Sequence, residues 1–580
     1  MSRAAGDAAV RTEARSFYED SFATLLATSP EVATEIGVAQ IAGRAIAQDR
    51  FSDVSPAGEQ HRRGVMADAL ASLARVPKAA PDSDELDREV YEFFLRWGRF
   101  GRLLGTESHA FQLSDSVADH LCGVQTELIT CLTQWQPLET SAHAQCFISR
   151  LEAVPRQIDA LIEALRDRAA VGNVMPACIV GRVVEELAQL LALPLEQQPV
   201  YRRSVESAAV TDPARVARIV EQTFLPAFRK LHELLVRDYP REDRIGLCRL
   251  RDGEGFYRFL LKAHTTTDMS VADVHALGLE ELQRLQQATS TKLRAAGYRG
   301  DSLGDLFAAF DRDERFRPFG DGPSSDDLLA SVDTLISETA THVMPLLGIR
   351  PGASVTVRAI PEMQEANRHM TYVPPAPDGS RRGTFDVNLA QLRGCNRLDL
   401  YTLVYHEAIP GHHVQLTIAQ ELGAAVPSFR RVLVHDGYIE GWAKYAELLP
   451  FLAGINTDPC WDIARSRNEL YSTANLALDT GIHAMGWSRE QGTAFFADNT
   501  GCTREFAASI VDRIVARPAQ VCSYKIGMMT VLNARQRMER ALGQRFDLRR
   551  FHDVILGQGS LPLALLDRVV DAEIARLRRC

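Results

Sequence analysis

Residues 401–420 read YTLVYHEAIPGHHVQLTIAQ, and this stretch decides how the rest of the chain is read. His406, Glu407, His412 and His413 fall within eight residues of an otherwise apolar, helical pattern. Burying such a cluster costs free energy unless something compensates the lost hydration. A zinc ion does so, because it takes neutral imidazole nitrogens and a carboxylate as ligands. The opening His-Glu resembles the start of HExxH, in which two histidines one helical turn apart bind zinc and the glutamate is the general base. The spacing then departs from it. Position i+4 from His406 is Pro410, and the next histidines are at i+6 and i+7. On a straight helix i+6 points about 120° away and i+7 is roughly 10 Å up the axis. Pro410 and Gly411 break or bulge a helix. Two residues looped out would bring His412 to the i+4 position, whereas His413 would need three. His406 and His412 are therefore the expected metal ligands, with His413 a neighbour or alternative.

A third ligand is expected from a nearby helix. The segment 435–447, HDGYIEGWAKYAE, carries Glu440, with His435, Asp436 and Glu447 as competitors. Gly441 and Ala443 are small enough to permit close helix approach. Elsewhere the helical period also dominates. Tyr18, Phe22, Leu25 and Leu26 share one face, and Leu566, Val570, Ile574 and Leu577 share another. Ser29-Pro30 reads as an N-cap with proline at the first helical position. Ser270 with Asp273, and Ser488 with Gln491, read as capping boxes. Strand-like alternation is clearest in 354–360 (SVTVRAI) and 384–389 (TFDVNL). The expected fold is mainly α, with a small β-sheet beside a deep active-site groove. Asp311–Asp327 reads as a charged, solvated connection, and 372–383 (YVPPAPDGSRRG) as a turn leading into the TFDVNL strand.

Composition sets bounds on function. The chain has 580 residues, 46% hydrophobic and 24% charged, which is a globular balance with room for several domains. Lys+Arg 65 against Asp+Glu 75 gives a net charge of −10, the wrong sign for tracking phosphates, so nucleic acid is not an expected partner. No apolar run approaches the roughly 20 residues that span a bilayer, and the first residues lack a signal-peptide core. Ten cysteines without CxxC spacing read as free thiols in a reducing compartment, so a cytoplasmic location is expected.

Several ordered motifs together carry a resemblance. HEAIPGHHVQ (406–415), YIEGWAKYAE (438–447), LDTGIHAMGW (478–487), SYKIG (523–527) and FDLRRFHDVILGQGSLPL (546–563) resemble the DUF885 family. SPEVATEIGV (29–38), RLEAVPRQIDALI (150–162), VHALGLEEL (274–282) and YVPPAPDGSRRGTFDVNL (372–389) extend the likeness over roughly residues 15–575. The resemblance implies a helical, gluzincin-like zinc metallopeptidase with one Zn2+ per chain. It implies His406 and His412 as zinc-binding histidines, Glu407 as catalytic base and Glu440 as third ligand. It also suggests His483 and Tyr524 as donors to an oxyanion, with Asp479 orienting His483. The chain departs from the family where proline-glycine-glutamine reads Pro518-Ala519-Gln520, and in RLRDGEGFYRF (249–259). These departures are expected to lie away from the metal.

The resulting expectation is hydrolysis of peptide or amide bonds in small peptides. Tyr372, Asn388 and the TFDVNL strand are expected to contact substrate. Lys525 or Arg467 would hold a substrate carboxylate, giving a carboxypeptidase or dipeptidase. The alternatives are a dedicated hydrolase or lyase of a modified amide metabolite, or a non-catalytic binding protein of the same fold. Residues 1–265 are expected to form one wall of the groove and 266–580 the catalytic region. Oligomeric state is left open.

Overall fold

The computed structural model describes residues 2–77, 82–100, 103–111, 118–316, 323–360, 365, 370–379, 381–394, 396–455 and 457–579. Parts of two expected connections lie outside the described residues, namely 317–322 and Ser380, as do Cys395 and Cys580. The protein is mainly α, with 71% of residues helical and 4% in strands. Among the described residues no helix is long and apolar enough to cross a membrane.

The chain divides into two compact units. The first comprises Met1–Ile245 with Arg249–Gly253. Its N-terminal helix, Ser2–Thr28, buries Tyr18, Phe22, Leu25 and Leu26, the stripe its sequence spacing predicts. Ser29 precedes the helix Pro30–Glu35, but its side chain makes no capping bond. Inside this unit the buried Arg150 donates to Arg50 O at 3.0 Å and to Thr34 Oγ1 at 2.9 Å, so its charge is spread over oxygen acceptors.

The second unit, Gly246–Cys248 with Glu254–Cys580, holds every motif that carries chemistry. Its helices include α1 (Gly253–Thr265), α2 (Val271–Ala295), α3 (Arg397–Glu407), α4 (His412–Glu421), α5 (Asp436–Ala446), α6 (Pro459–His483), α7 (Arg504–Ala516) and α8 (Cys522–Leu542). Ser270 with Asp273 and Ser488 with Gln491 close complete capping boxes, as predicted. The helix Leu563–Arg579 buries Leu566 and Val570 along its inner stripe.

A three-stranded sheet comprises β1 (Val355–Ala359), β2 (Thr371–Val373) and β3 (Gly383–Val387), in the order β1-β3-β2. β1 runs parallel to β3, and β2 antiparallel to it. The TFDVNL segment is therefore the central strand. Both its edges are used within the sheet, which leaves none for an extended peptide. The edge strand β2 presents Tyr372 N away from β3, toward Glu407 (2.8 Å).

α5 and α8 approach backbone to backbone. A Cβ on Gly441 would lie 2.5 Å from Gly527 C, and one on Gly527 would lie 2.0 Å from Gly437 O. No other residue fits either position. This contact fixes Glu440 on one helix relative to Tyr524 on the other.

Candidate metal centre

α3 ends at Glu407, residues 408–411 form a break, and α4 begins at His412. Gly411 is required in that break, because a Cβ there would come within 1.8 Å of the His406 carbonyl oxygen. Trp442 Nε1 of α5 donates to Pro410 O at 3.1 Å and ties the break to the helix that carries Glu440. The break brings His412, not His413, beside His406.

His406, His412 and Glu440 offer ligand atoms that all lie within 4.8 Å of one another. Glu440 Oε2 is 3.3 Å from His406 Nε2 and 3.4 Å from His412 Nε2. These are long for charge-assisted hydrogen bonds, which close to about 2.7–2.9 Å. They match the edge of a tetrahedron with zinc–ligand bonds of about 2.0–2.1 Å, which is roughly 3.3–3.4 Å. His412 Nδ1 is buried and has no hydrogen-bond partner. The donor set and its spacing fit a zinc-sized divalent cation.

The surroundings order this cluster. His406 Nδ1 faces Glu447 Oε1 at 3.1 Å, the carboxylate–histidine arrangement that fixes a ligand's tautomer. Glu447 is in turn held by Lys444 Nζ at 3.0 Å and Asn468 Nδ2 at 3.2 Å. Glu447 thus stands behind His406, outside the group of donor atoms that could hold a metal ion. Burial alone would disfavour a charge on His406, but Glu440 and Glu447 outweigh it and raise its pKa to about 10. Burial pushes the Glu407 carboxyl above the ordinary range, the direction a general base needs at neutral pH. His413 turns away from the cluster, with Nδ1 2.9 Å from Tyr372 Oη and Nε2 3.1 Å from Ala353 O.

Tyr524 is brought to the site and His483 is not. The Tyr524 ring stacks on His406 with centroids 6.1 Å apart, and its hydroxyl accepts from Arg513 at 3.1 Å. His483 is fully buried, with Nδ1 3.3 Å from Leu247 N and Nε2 3.1 Å from Ile514 O. Backbone groups occupy both its nitrogens, so it has no free donor for an oxyanion. Asp479 does not orient it either. Asp479 accepts from Tyr257 Oη at 2.6 Å and from Ala519 N at 3.0 Å.

The expected substrate anchors are also spent. Lys525 Nζ is buried between Glu469 (2.8 Å) and Glu281 (3.1 Å). Arg467 pairs with Asp311 and Asp399 and lies over Phe307 and Phe310. Asn388 caps a helix turn, accepting from Gln391 N at 2.9 Å and donating to Glu365 O at 2.7 Å. Tyr372 contributes its backbone N–H to Glu407, while its phenol is committed to His413.

Sequence reading missed Gln520 and Arg513. Gln520 Nε2 lies 3.4 Å from Glu440 Oε1, so the Pro518-Ala519-Gln520 segment borders the metal cluster instead of lying away from it. Arg513 NH2 donates to Gln520 Oε1 and to Tyr524 Oη, both at 3.1 Å. Ala519 has φ +67, a left-handed conformation in which alanine is strained and glycine is not. That is a physical reason for a glycine at this position, as the resemblance implies. Ala519→Gly should stabilise the protein by about 0.5–1 kcal/mol, after allowing for the extra freedom of unfolded glycine. An unchanged or lowered urea midpoint would show that the bend is not strained.

The DUF885 family, described as bacterial proteins of unknown function, matches residues 30–570. Two solved structures are similar over nearly the whole chain. One, from Colwellia psychrerythraea and provisionally described as a lipoprotein, is 26% identical with a TM-score of 0.90, covering 98% of this chain and 99% of that one. The other, from Shewanella oneidensis and provisionally described as a lipoprotein of unknown function, is 17% identical with a TM-score of 0.66, covering 95% and 98%. Among curated proteins there is no match.

Proposed function

The chain belongs to the DUF885 family, and on that footing we propose that it is a metal-dependent hydrolase of peptide or amide bonds in small peptides. The observation that carries the reading is the meeting of His406, His412 and Glu440, with ligand atoms all within 4.8 Å of one another, beside a buried glutamate, Glu407. A divalent cation held there, zinc by the donor set, would supply Lewis acidity that polarises a carbonyl and makes water nucleophilic at neutral pH. Glu407, held by Tyr372 N, takes the proton of the attacking water and passes it to the leaving amine. The Tyr524 hydroxyl accepts from Arg513, which leaves its own hydrogen to be donated to the developing oxyanion. The outward edge of β2 lies next to the base, to which it gives the Tyr372 N–H.

The test is a library of di- to hexapeptides with zinc-loaded protein, wild type beside Glu407→Gln. Cleavage by the wild type, reduced about a thousandfold or more in the variant while zinc content is unchanged, is the expected result. Cleavage that survives Glu407→Gln would remove the base from its role, and no cleavage of any peptide would defeat the hydrolase reading.

Location forms part of the proposal. The eight described cysteines are all free, which suits a reducing compartment and a cytoplasmic protein. The two similar structures are described as lipoproteins, so cell fractionation is the deciding measurement. Recovery in the soluble cytoplasmic fraction supports the assignment, and recovery with membranes overturns it.

A further inference from the structure

Most described cations around the cluster are matched with carboxylates. Lys444 pairs with Glu447, Lys525 with Glu469 and Glu281, and Arg467 with Asp311 and Asp399. Arg489 takes Asp512, the residue beside Arg513. Arg513 itself is half-buried and, among the described residues, forms no ion pair. Among the described residues its hydrogen bonds run from one terminal nitrogen, to Gln520 and Tyr524. Glu440 and Glu407 act on this guanidinium at longer range but neither is bonded to it, and a bidentate carboxylate is the partner its fork fits best. One turn on, Arg517 acts on Asp436 only at longer range, and among the described residues its buried Nε has no hydrogen-bond partner.

Position selects the anion. One amide side chain, Gln520, spans the gap between Arg513 and Glu440, bonding to the first at 3.1 Å and approaching the second at 3.4 Å. A peptide advances about 3.3–3.6 Å per residue, so this gap suits a carboxylate one or two residues beyond a carbonyl at the cluster. With a divalent cation in place, that cation and Arg513 together outweigh the negative charges of Glu407 and Glu440, which favours an anionic ligand.

We infer that Arg513 anchors the free C-terminal carboxylate of the substrate. The inference rests on the hydrolase reading, and it makes the enzyme one that removes one or two residues from the C-terminus of short peptides.

Binding tests it without turnover. Zinc-loaded Glu407→Gln protein is titrated calorimetrically with N-acetyl-tripeptides ending in Ala, Leu, Phe or Glu, and with their C-terminal amides. The free acids should bind about tenfold or more tighter than the amides. Adding Arg513→Met should abolish that preference, and Arg513→Lys should retain part of it. Zinc content of each variant reports whether the cluster survives the substitution, and Arg513→Lys carries the test if Arg513→Met does not fold. Equal binding of acid and amide, binding of neither, or a preference that survives Arg513→Met overturns the inference, even if the wild type hydrolyses peptides. A preference that depends on Arg513, in a wild-type protein that cleaves nothing, would defeat the hydrolase reading and leave the carboxylate site standing.

Discussion

Purified wild-type protein should carry close to one zinc ion per chain, and His406→Ala and Glu440→Ala should carry none, by elemental mass spectrometry. Each substitution removes one of the three donors of the proposed site, and Glu440→Ala also removes the carboxylate that would balance the ion's charge. The loss should be visible in stability as well. A ligand present at a thousand times its Kd stabilises the native state by about 4 kcal/mol, so chelation should lower the wild-type midpoint and leave both variants unmoved. Uptake should weaken as pH falls, because protons compete for the imidazoles. Glu447→Gln provides a graded control. It leaves the three ligands intact but takes charge from the partner of His406 Nδ1, so affinity should fall about 10–100-fold with stoichiometry retained. Wild-type protein that stays metal-free after incubation with zinc would end the metal reading altogether.

The second large effect is expected at Gly411. Gly411→Ala puts a methyl group where the His406 carbonyl oxygen already sits, and backbone cannot yield as a flexible side chain can. The break at 408–411 must open, carrying His412 away from His406 and Glu440. The expected cost is about 3 kcal/mol or more in stability, at the upper end for forced overpacking. Zinc affinity, measured by competition with a chromogenic chelator, should drop at least about tenfold, since ligand spacing sets it. Measuring both matters, because a variant that is destabilised but binds zinc normally would mean that the break relaxes without moving His412. Wild-type values for both would mean that the turn does not depend on glycine.

What the sequence made legible, and what it hid, follows from how far apart the interacting residues lie. His406, Glu407 and His412 are close in the chain, and proline-glycine between them is a local instruction, so the loop-out could be inferred. Glu440 is one helix away, within reach of the same reasoning. Helix caps and apolar stripes are local too: both capping boxes and the stripe of the first helix are present, while Ser29 makes no capping bond and Ile574 and Leu577 are only half-buried. The partners of Lys525, Arg467 and His483 come from elements far away in the chain, such as Glu281, Asp311 and Leu247, so nothing nearby announces that these side chains are already occupied. The same is true in reverse of Arg513, which forms no ion pair among the described residues, and a missing contact leaves no trace in a sequence. Strand positions were visible from alternation, but strand order was not. The parallel pairing of β1 with β3 skips over β2 and sets which edge is free.

The Gly441–Gly527 contact bears on how such a site can change. Where two helices meet with no layer of side chains between them, there is nothing to compress, trim or repack. The distance from the carboxylate on one to the phenol on the other is therefore a fixed gauge, and drift in the neighbouring residues cannot retune it. Adaptation to a different ligand has to be made on the opposite bank, along the short edge strand and the turn after it, where contacts run through replaceable side chains. Attempts to redirect specificity by random mutagenesis should accordingly find their tolerated changes around residues 370–383 and almost none on the helical side.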